Sequence, residues 1–259
     1  MSISPTEKVV DVRGASVGVL EGGAGPTALV LHAAGGAGAW LPYHALLAQS
    51  FRVVAPDVPG FGRSPSAEGV EAIDDLAFLY LDLIEQLGLA EPIILGSSFG
   101  GWLAAEIAVL APKLVSKLVL VSAIGLRIPG EPITDLFALS PAQKVQALFH
   151  DPAAAAGLFP AEIDIDTALG FYRDEMAFAR YAWSPFCCNP KLQRRLHRIC
   201  APTLVLWAGE DRVVPTTHGR RYAELIPHAR FEVVTDCGHA VMLERPKEAV
   251  RAIQRFVAS

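Results

Sequence analysis

Apolar residues recur along this chain in two alternating rhythms. Short apolar runs, of a length suited to strands buried on both faces, fall at residues 27–32, 51–56, 92–95, 117–122, 202–208 and 231–235. Between them lie stretches with apolar positions three and four apart. These predict helices over residues 40–49, 73–87, 101–110, 215–226 and 246–257. The helix over 73–87 has Asp74 and Asp75 in its first turn and Gly88 as its stop. Residues 9–13 and 16–21 predict an opening hairpin joined at Gly14. Strand and helix in regular alternation predict an α/β fold: a mostly parallel, eight-stranded sheet with helices on both faces.

The alternation breaks between residues 126 and 195. This stretch carries helical patches, an alanine run at 153–156, several prolines and many aromatics, but no buried-strand run. It is expected to be a helical lid inserted over the carboxyl edge of the sheet. The organisation expected is therefore a core in two parts, residues 1–125 and 196–259, interrupted by a lid over 126–195.

The length of 259 residues accommodates one large domain with such an insertion. Lys and Arg number 22 against 27 Asp and Glu, a net charge of -5, and no Lys/Arg run occurs. Nothing electrostatic recommends a nucleic-acid partner. The first residues, with Glu7 and Lys8 and no apolar core, do not read as a secretory signal, and no apolar run is long enough to span a membrane. Cys187, Cys188, Cys200 and Cys237 form no Cys-X-X-Cys pair, which argues against a zinc or redox motif and for reduced thiols in the cytoplasm. No cofactor and no metal are expected. The expected partner is a small hydrophobic substrate, with a homodimer allowed.

The candidate chemistry starts at Gly96-Ser97-Ser98-Phe99-Gly100, between a predicted strand and a predicted helix. Gly-X-Ser-X-Gly in that setting is the nucleophile elbow, which pushes a serine hydroxyl clear of the backbone on a strained turn. Ser98 sits at its centre, and Ser97 reads as a neighbour. Side chains at Gly96 and Gly100 would collide with the adjoining strand and helix.

A serine nucleophile needs a base, and the base needs an acid to orient it. Of seven histidines, His239 follows the last strand, in Asp236-Cys-Gly-His-Ala240, where it can face Ser98. His32 ends a strand and reads as structural. His44, His150, His197, His218 and His228 read as packing or solvated residues. The acid is Asp211, just after the 202–208 strand, with Glu210 and Asp236 as rivals. The competing reading of Asp211 is a cap for the helix beginning near Pro215. The chain order Ser98, Asp211, His239 matches the order of nucleophile, acid and base for such a fold.

Together with Leu31-His32-Ala-Ala-Gly-Gly36, Asp57-Val-Pro-Gly-Phe-Gly-Arg-Ser64 and Gly209-Glu-Asp-Arg-Val-Val-Pro215, these motifs resemble the α/β-hydrolase superfamily over nearly all of the chain outside the insertion. The resemblance implies an oxyanion hole made by the amides of Phe99, the residue after the nucleophile, and of Ala34, with Ala33 as the alternative. Ala33 stands where the family usually has glycine. The activity implied is hydrolysis of a small hydrophobic carboxylic ester, thioester or lactone through an acyl-enzyme. The loop Ala33-Ala-Gly-Gly-Ala-Gly-Ala-Trp40 is similar to that of carbon–carbon bond hydrolases acting on vinylogous 1,5-diketones. Those enzymes commonly place tryptophan after the histidine, where this chain has Ala240, so the ester reading leads. A non-catalytic ligand-binding protein on the same fold is the alternative of another class.

The insertion carries Phe137, Phe149, Phe159, Phe171, Tyr172, Met176, Phe178, Tyr181, Trp183 and Phe186. Most are expected to dock it onto the core, and the rest to line an apolar site.

Overall fold

The opening hairpin pairs β1 (Thr6–Val12) with β2 (Ala15–Gly22), and Arg13 (φ 54°) and Gly14 (φ 90°) turn it. Two successive left-handed residues match the right-handed twist of the flanking strands. The remaining strands are β3 (Thr27–Leu31), β4 (Arg52–Pro56), β5 (Ile93–Ser97), β6 (Lys117–Val121), β7 (Thr203–Ala208) and β8 (Arg230–Val234). They form one sheet in the order β1-β2-β4-β3-β5-β6-β7-β8. The β1–β2 and β2–β4 pairs are antiparallel and every later pair is parallel. This computed structural model describes residues 3–36, 38–156 and 164–259.

The helices are α1 (Pro42–Leu47), α2 (Ile73–Gln86), α3 (Phe99–Leu110), α4 (Pro141–Leu148), α5 (Ile165–Ala182), α6 (Thr216–Leu225), α7 (Val241–Glu244) and α8 (Pro246–Ala258). Successive strand residues enter opposite cores. Leu118, Leu120, Val205 and Trp207 join α2, α3 and α6 on one face. Val119, Val121, Leu204 and Leu206 join α1 and α8 on the other. Strands with both faces buried read as continuous apolar runs, which is why the sequence shows them so plainly.

The order of the sheet places the site. From β3 the chain crosses through α1 to β4 on one side, then returns through α2 to β5 on the other. The segments leaving the carboxyl ends of β3 and β5 therefore diverge to opposite faces. Crevices form at such reversals.

Some elements differ from the sequence reading. Strand β1 begins at Thr6, earlier than expected, because Thr6, Glu7 and Lys8 are exposed polar residues on an edge strand and carry no apolar signal. Helix α3 starts at Phe99, so the elbow runs directly into it. Helix α7 was not expected, being too short to show a period.

Between β6 and β7 lie α4, α5 and short 3₁₀ turns. This segment is bonded to three loops that follow carboxyl ends of strands. Tyr181 Oη donates to the Pro59 carbonyl (2.9 Å), Thr134 N–H to Val213 (2.9 Å), and the Ala240 N–H to Leu148 (2.9 Å). Phe149, Phe178 and Tyr181 are buried, and Phe137 and Phe186 pack half-buried on the core. Tyr172, Met176 and Trp183 are exposed, against the expectation that they would dock or line a site, and Phe171 is 43% exposed. The reason is that α5 turns one face of its last turns to the core, at Ala177, Phe178, Tyr181 and Ala182, and leaves Met176 and the earlier turns facing outward. Phe159 lies outside the described residues.

Candidate active site

Ser98 sits between β5 and α3 with φ 51° and ψ −110°. Such a backbone stores on the order of 1–3 kcal/mol and persists only where neighbours enforce it. Here they do. The Ser98 N–H donates to Val121 (2.8 Å), and its carbonyl accepts from Trp102 (3.1 Å) and Ile124 (3.2 Å). A Cβ at Gly96 would run into the Gly100 carbonyl, and one at Gly100 into the Leu31 carbonyl at the end of β3. A Cβ at Gly101 would lie 2.6 Å from that of Ala123. The three glycines let a tight turn lie against two strands at once.

The structure brings Ser98, His239 and Asp211 together. His239 Nε2 lies 2.9 Å from Ser98 Oγ, and its Nδ1 lies 3.0 Å from each Asp211 carboxylate oxygen. A carboxylate only accepts, so Nδ1 carries the hydrogen and Nε2 is left to accept the serine proton. The Asp211 side chain is 0% exposed and that of His239 4%. Little water competes, so these charge-assisted bonds act in a low dielectric. Asp211 Oδ1 also accepts the amides of Val213 (3.0 Å) and Val214 (2.8 Å). The carboxylate therefore both meets the imidazole and closes the turn ahead of α6.

The rivals are placed elsewhere. The Glu210 Oε2 accepts the Cys237 N–H (2.9 Å), while the Glu210 N–H donates to the Cys237 carbonyl (3.0 Å). Glu210 thus ties the acid loop to the histidine loop. The Asp236 carbonyl accepts Nε and Nη2 of Arg245. Burial pushes the Cys237 thiol up to about 12, so it offers no competing thiolate near His239. His44 is buried with its Nδ1 accepting the Leu41 N–H (3.0 Å), and burial lowers its pKa to about 3.

The two expected oxyanion donors occupy suitable backbone. Phe99 opens α3, where no carbonyl of the helix can reach its N–H. Ala33 and Ala34 lie outside the left-handed region, so alanine in place of glycine brings no φ strain. The Ala33 carbonyl accepts His32 Nδ1–H (2.7 Å) and the Gly36 N–H (3.1 Å), and His32 Nε2 accepts the Val58 N–H (3.0 Å). In a trans peptide the next N–H points opposite the carbonyl, so His32 fixes the direction of the Ala34 amide.

Sequence reasoning passed over Asp57. It is buried, Oδ1 accepts the Gly38 N–H (2.8 Å), and Oδ2 accepts the Arg63 N–H (2.9 Å). It holds the loop after β3 against the loop after β4. The available signal was an acid opening a glycine-rich turn, surrounded by free amide donors. Among the described residues, no group of three or more His, Cys, Asp or Glu is placed to hold a metal ion, and no helix is long and apolar enough to cross a membrane.

The chain is similar to known proteins over most of its length. A model of the alpha/beta hydrolase family matches residues 28–253. The dihydrolipoyllysine-residue acetyltransferase component of the acetoin cleaving system of Pseudomonas putida is 32% identical over 254 residues, covering 91% of this chain and 65% of that protein. The chain thus spans just under two thirds of that relative. The 2-hydroxy-6-oxononadienedioate/2-hydroxy-6-oxononatrienedioate hydrolase of Burkholderia vietnamiensis is 30% identical over 260 residues, covering 91% and 88%. The crystal structure of a bacterial membrane phospholipase A matches with a TM-score of 0.77 at 26% identity, covering 98% of this chain and 86% of that one.

Proposed function

The chain belongs to the alpha/beta hydrolase family and is a hydrolase; on that premise we propose that it cleaves a small hydrophobic carboxylic ester, thioester or lactone through an acyl-enzyme on Ser98. The observation that carries this reading is the hydrogen-bonded row from Ser98 Oγ through His239 to Asp211, at 2.9 Å and 3.0 Å.

In this mechanism His239 Nε2 takes the serine proton as Oγ attacks the substrate carbonyl. Asp211 holds the imidazole tautomer and stabilises its cation. The amides of Phe99 and Ala34 receive the developing oxyanion, each contributing on the order of 10²–10³ in rate. His239 passes the proton to the departing alkoxide or thiolate. It then takes a proton from water, which attacks the acyl-serine and releases the acid. Residues 126–195 serve as a lid over the core formed by 1–125 and 196–259. An apolar acyl group is favoured by the aromatic cluster beside the elbow. Phe99 meets Phe178 (ring centroids 5.6 Å apart) and Tyr181 (6.0 Å), and Phe178 stacks on Phe137 (5.2 Å).

The test is labelling and turnover. An active-site fluorophosphonate should modify Ser98 in the folded protein, and 4-nitrophenyl acyl esters should be hydrolysed by wild type but not by folded Ser98→Ala. Turnover retained in that variant removes Ser98 from the mechanism.

A second reading is supported by the Burkholderia relative. The substrate in its name is the enol of a diketone whose carbonyl carbons stand in a 1,5 relation. The same machinery would then cleave a carbon–carbon bond. Ala240 after the histidine favours the ester. Comparing turnover of 4-nitrophenyl esters with cleavage of a vinylogous 1,5-diketone separates the two.

A further inference from the structure

The loop that carries His239 is short and begins with a residue in the left-handed region, Asp236 (φ 51°). Left to itself it would not fix an imidazole between a serine and a carboxylate. The one helical turn of α7 follows it directly, and the Glu244 N–H donates to the Ala240 carbonyl (2.8 Å). That turn folds the Glu244 side chain back beneath Gly238. Glu244 is 8% exposed.

Its carboxylate accepts three backbone amides. Oε2 takes the N–H of Gly238 (2.7 Å) and of His150 (3.0 Å), and Oε1 takes that of Asp151 (2.8 Å). Gly238 immediately precedes the base, whereas His150 and Asp151 belong to the segment between β6 and β7. On the far side of the base, the Ala240 N–H donates to Leu148 (2.9 Å). A Cβ at Gly238 would lie 2.5 Å from the His150 nitrogen and 2.7 Å from the Leu148 carbonyl, so the two backbones touch. The segment 148–151 is therefore fastened to the chain on both sides of His239.

We propose that Glu244 is a positioning residue: its carboxylate fixes the backbone that carries His239 by locking Gly238 to residues 150 and 151, so the insertion sets the aim of the base at Ser98. This rests on the triad reading above. Glu244 touches no reacting atom and acts through His239. A buried carboxylate suits this task because it offers enough lone pairs for three amides and makes charge-assisted bonds to each. A displaced imidazole weakens proton transfer in the transition state while leaving substrate contacts in place, so the loss falls on kcat and not on KM.

The experiment measures 4-nitrophenyl ester turnover by wild type, Glu244→Ala, Glu244→Gln and Ser98→Ala, with folding checked by circular dichroism. Glu244→Ala should lose on the order of 10²-fold in kcat, the cost of a displacement near 1 Å, with KM within about threefold of wild type. Glu244→Gln keeps one oxygen able to serve Gly238 and His150, and should recover at least about tenfold of that loss. A folded Glu244→Ala with wild-type kcat overturns the proposal, as does a loss carried by KM, or an equal loss in the glutamine variant. Should the alanine variant not fold, Glu244→Asp decides: its carboxylate is one methylene short of Gly238, so a fall in kcat of about tenfold or more at unchanged KM upholds the proposal and wild-type kcat overturns it. Turnover by Ser98→Ala would instead sink the triad reading. An inactive Ser98→Ala beside a fully active Glu244→Ala sinks the positioning role alone.

Discussion

Asp211 offers one carboxylate to an imidazole and two backbone amides, and each of these partners requires an acceptor. In Asp211→Asn, an NH₂ group must face either His239 Nδ1 or the amides of Val213 and Val214. The wrong histidine tautomer is then favoured, and kcat for an ester should fall by about 10³–10⁴-fold with the fold intact, as when a buried triad carboxylate is made an amide elsewhere. Steady-state kinetics and a thermal melt check this, and an unchanged kcat would remove Asp211 from the row. Glu106, on the buried side of α3, behaves differently. Burial pushes its carboxyl above the ordinary 4.5, opposed by donation from Asn189 (2.8 Å) and Trp102 (3.0 Å) to Oε1. The folded protein therefore holds this proton to higher pH than the unfolded chain, and stability is lost as pH rises from 4.5 through the raised value. Glu106→Gln keeps a carbonyl for both donors and cannot ionise. It should melt higher than wild type at pH 8, with the difference shrinking below pH 4.5. A difference constant across that range would contradict the burial argument.

Among the elements, the elbow is the least tolerant of added atoms. Gly100→Ala sets a methyl group against the Leu31 and His32 carbonyls, and Leu31 cannot move without disturbing the pairing of β3 with β5. A destabilisation of about 2–3 kcal/mol or more is expected, with ester turnover lost as Ser98 shifts. Urea unfolding measures it, and a wild-type midpoint would mean the backbone yields more easily than the contacts imply. Helix α5 presents the opposite case. Its last turns hold it to the core through Phe178, which meets both Phe99 and Phe137, while its first turns expose Ile165 and Leu169. Phe178→Ala should cost about 3–5 kcal/mol, whereas Leu169→Ala should change stability by no more than about 0.5 kcal/mol. Paired unfolding curves test the contrast.

At the scale of the whole molecule, everything chemical is gathered at the carboxyl ends of the strands. Loops after β3, β4, β5, β7 and β8 supply His32 and Ala34, Asp57, Ser98, Asp211 and His239, and the segment between β6 and β7 is bonded across several of them. Much of this was legible in the chain. Strands buried on both faces must be continuously apolar, a helix over a sheet must repeat near every fourth residue, and a serine on a strained turn needs small neighbours. Each demand leaves a local mark, so the sheet, its covering helices and the elbow could be read residue by residue. The choice among seven histidines and three nearby acids could be narrowed by position after a strand. Distances could not be read, because Ser98 and His239 are 141 residues apart and meet only when β5 and β8 take their places in one sheet. The roles of Asp57 and Glu244 also went unread, because their partners are backbone amides that bear no side-chain signature; an acid opening a glycine-rich turn was the one mark at Asp57. Nor did it reveal which aromatics of the insertion are buried, since an apolar residue looks the same whether it faces a core or water. The sequence thus determined the periods and the strained turn, which are properties of near neighbours. Only the tertiary structure decided which remote backbone groups each buried carboxylate serves, because that depends on how separate segments pack.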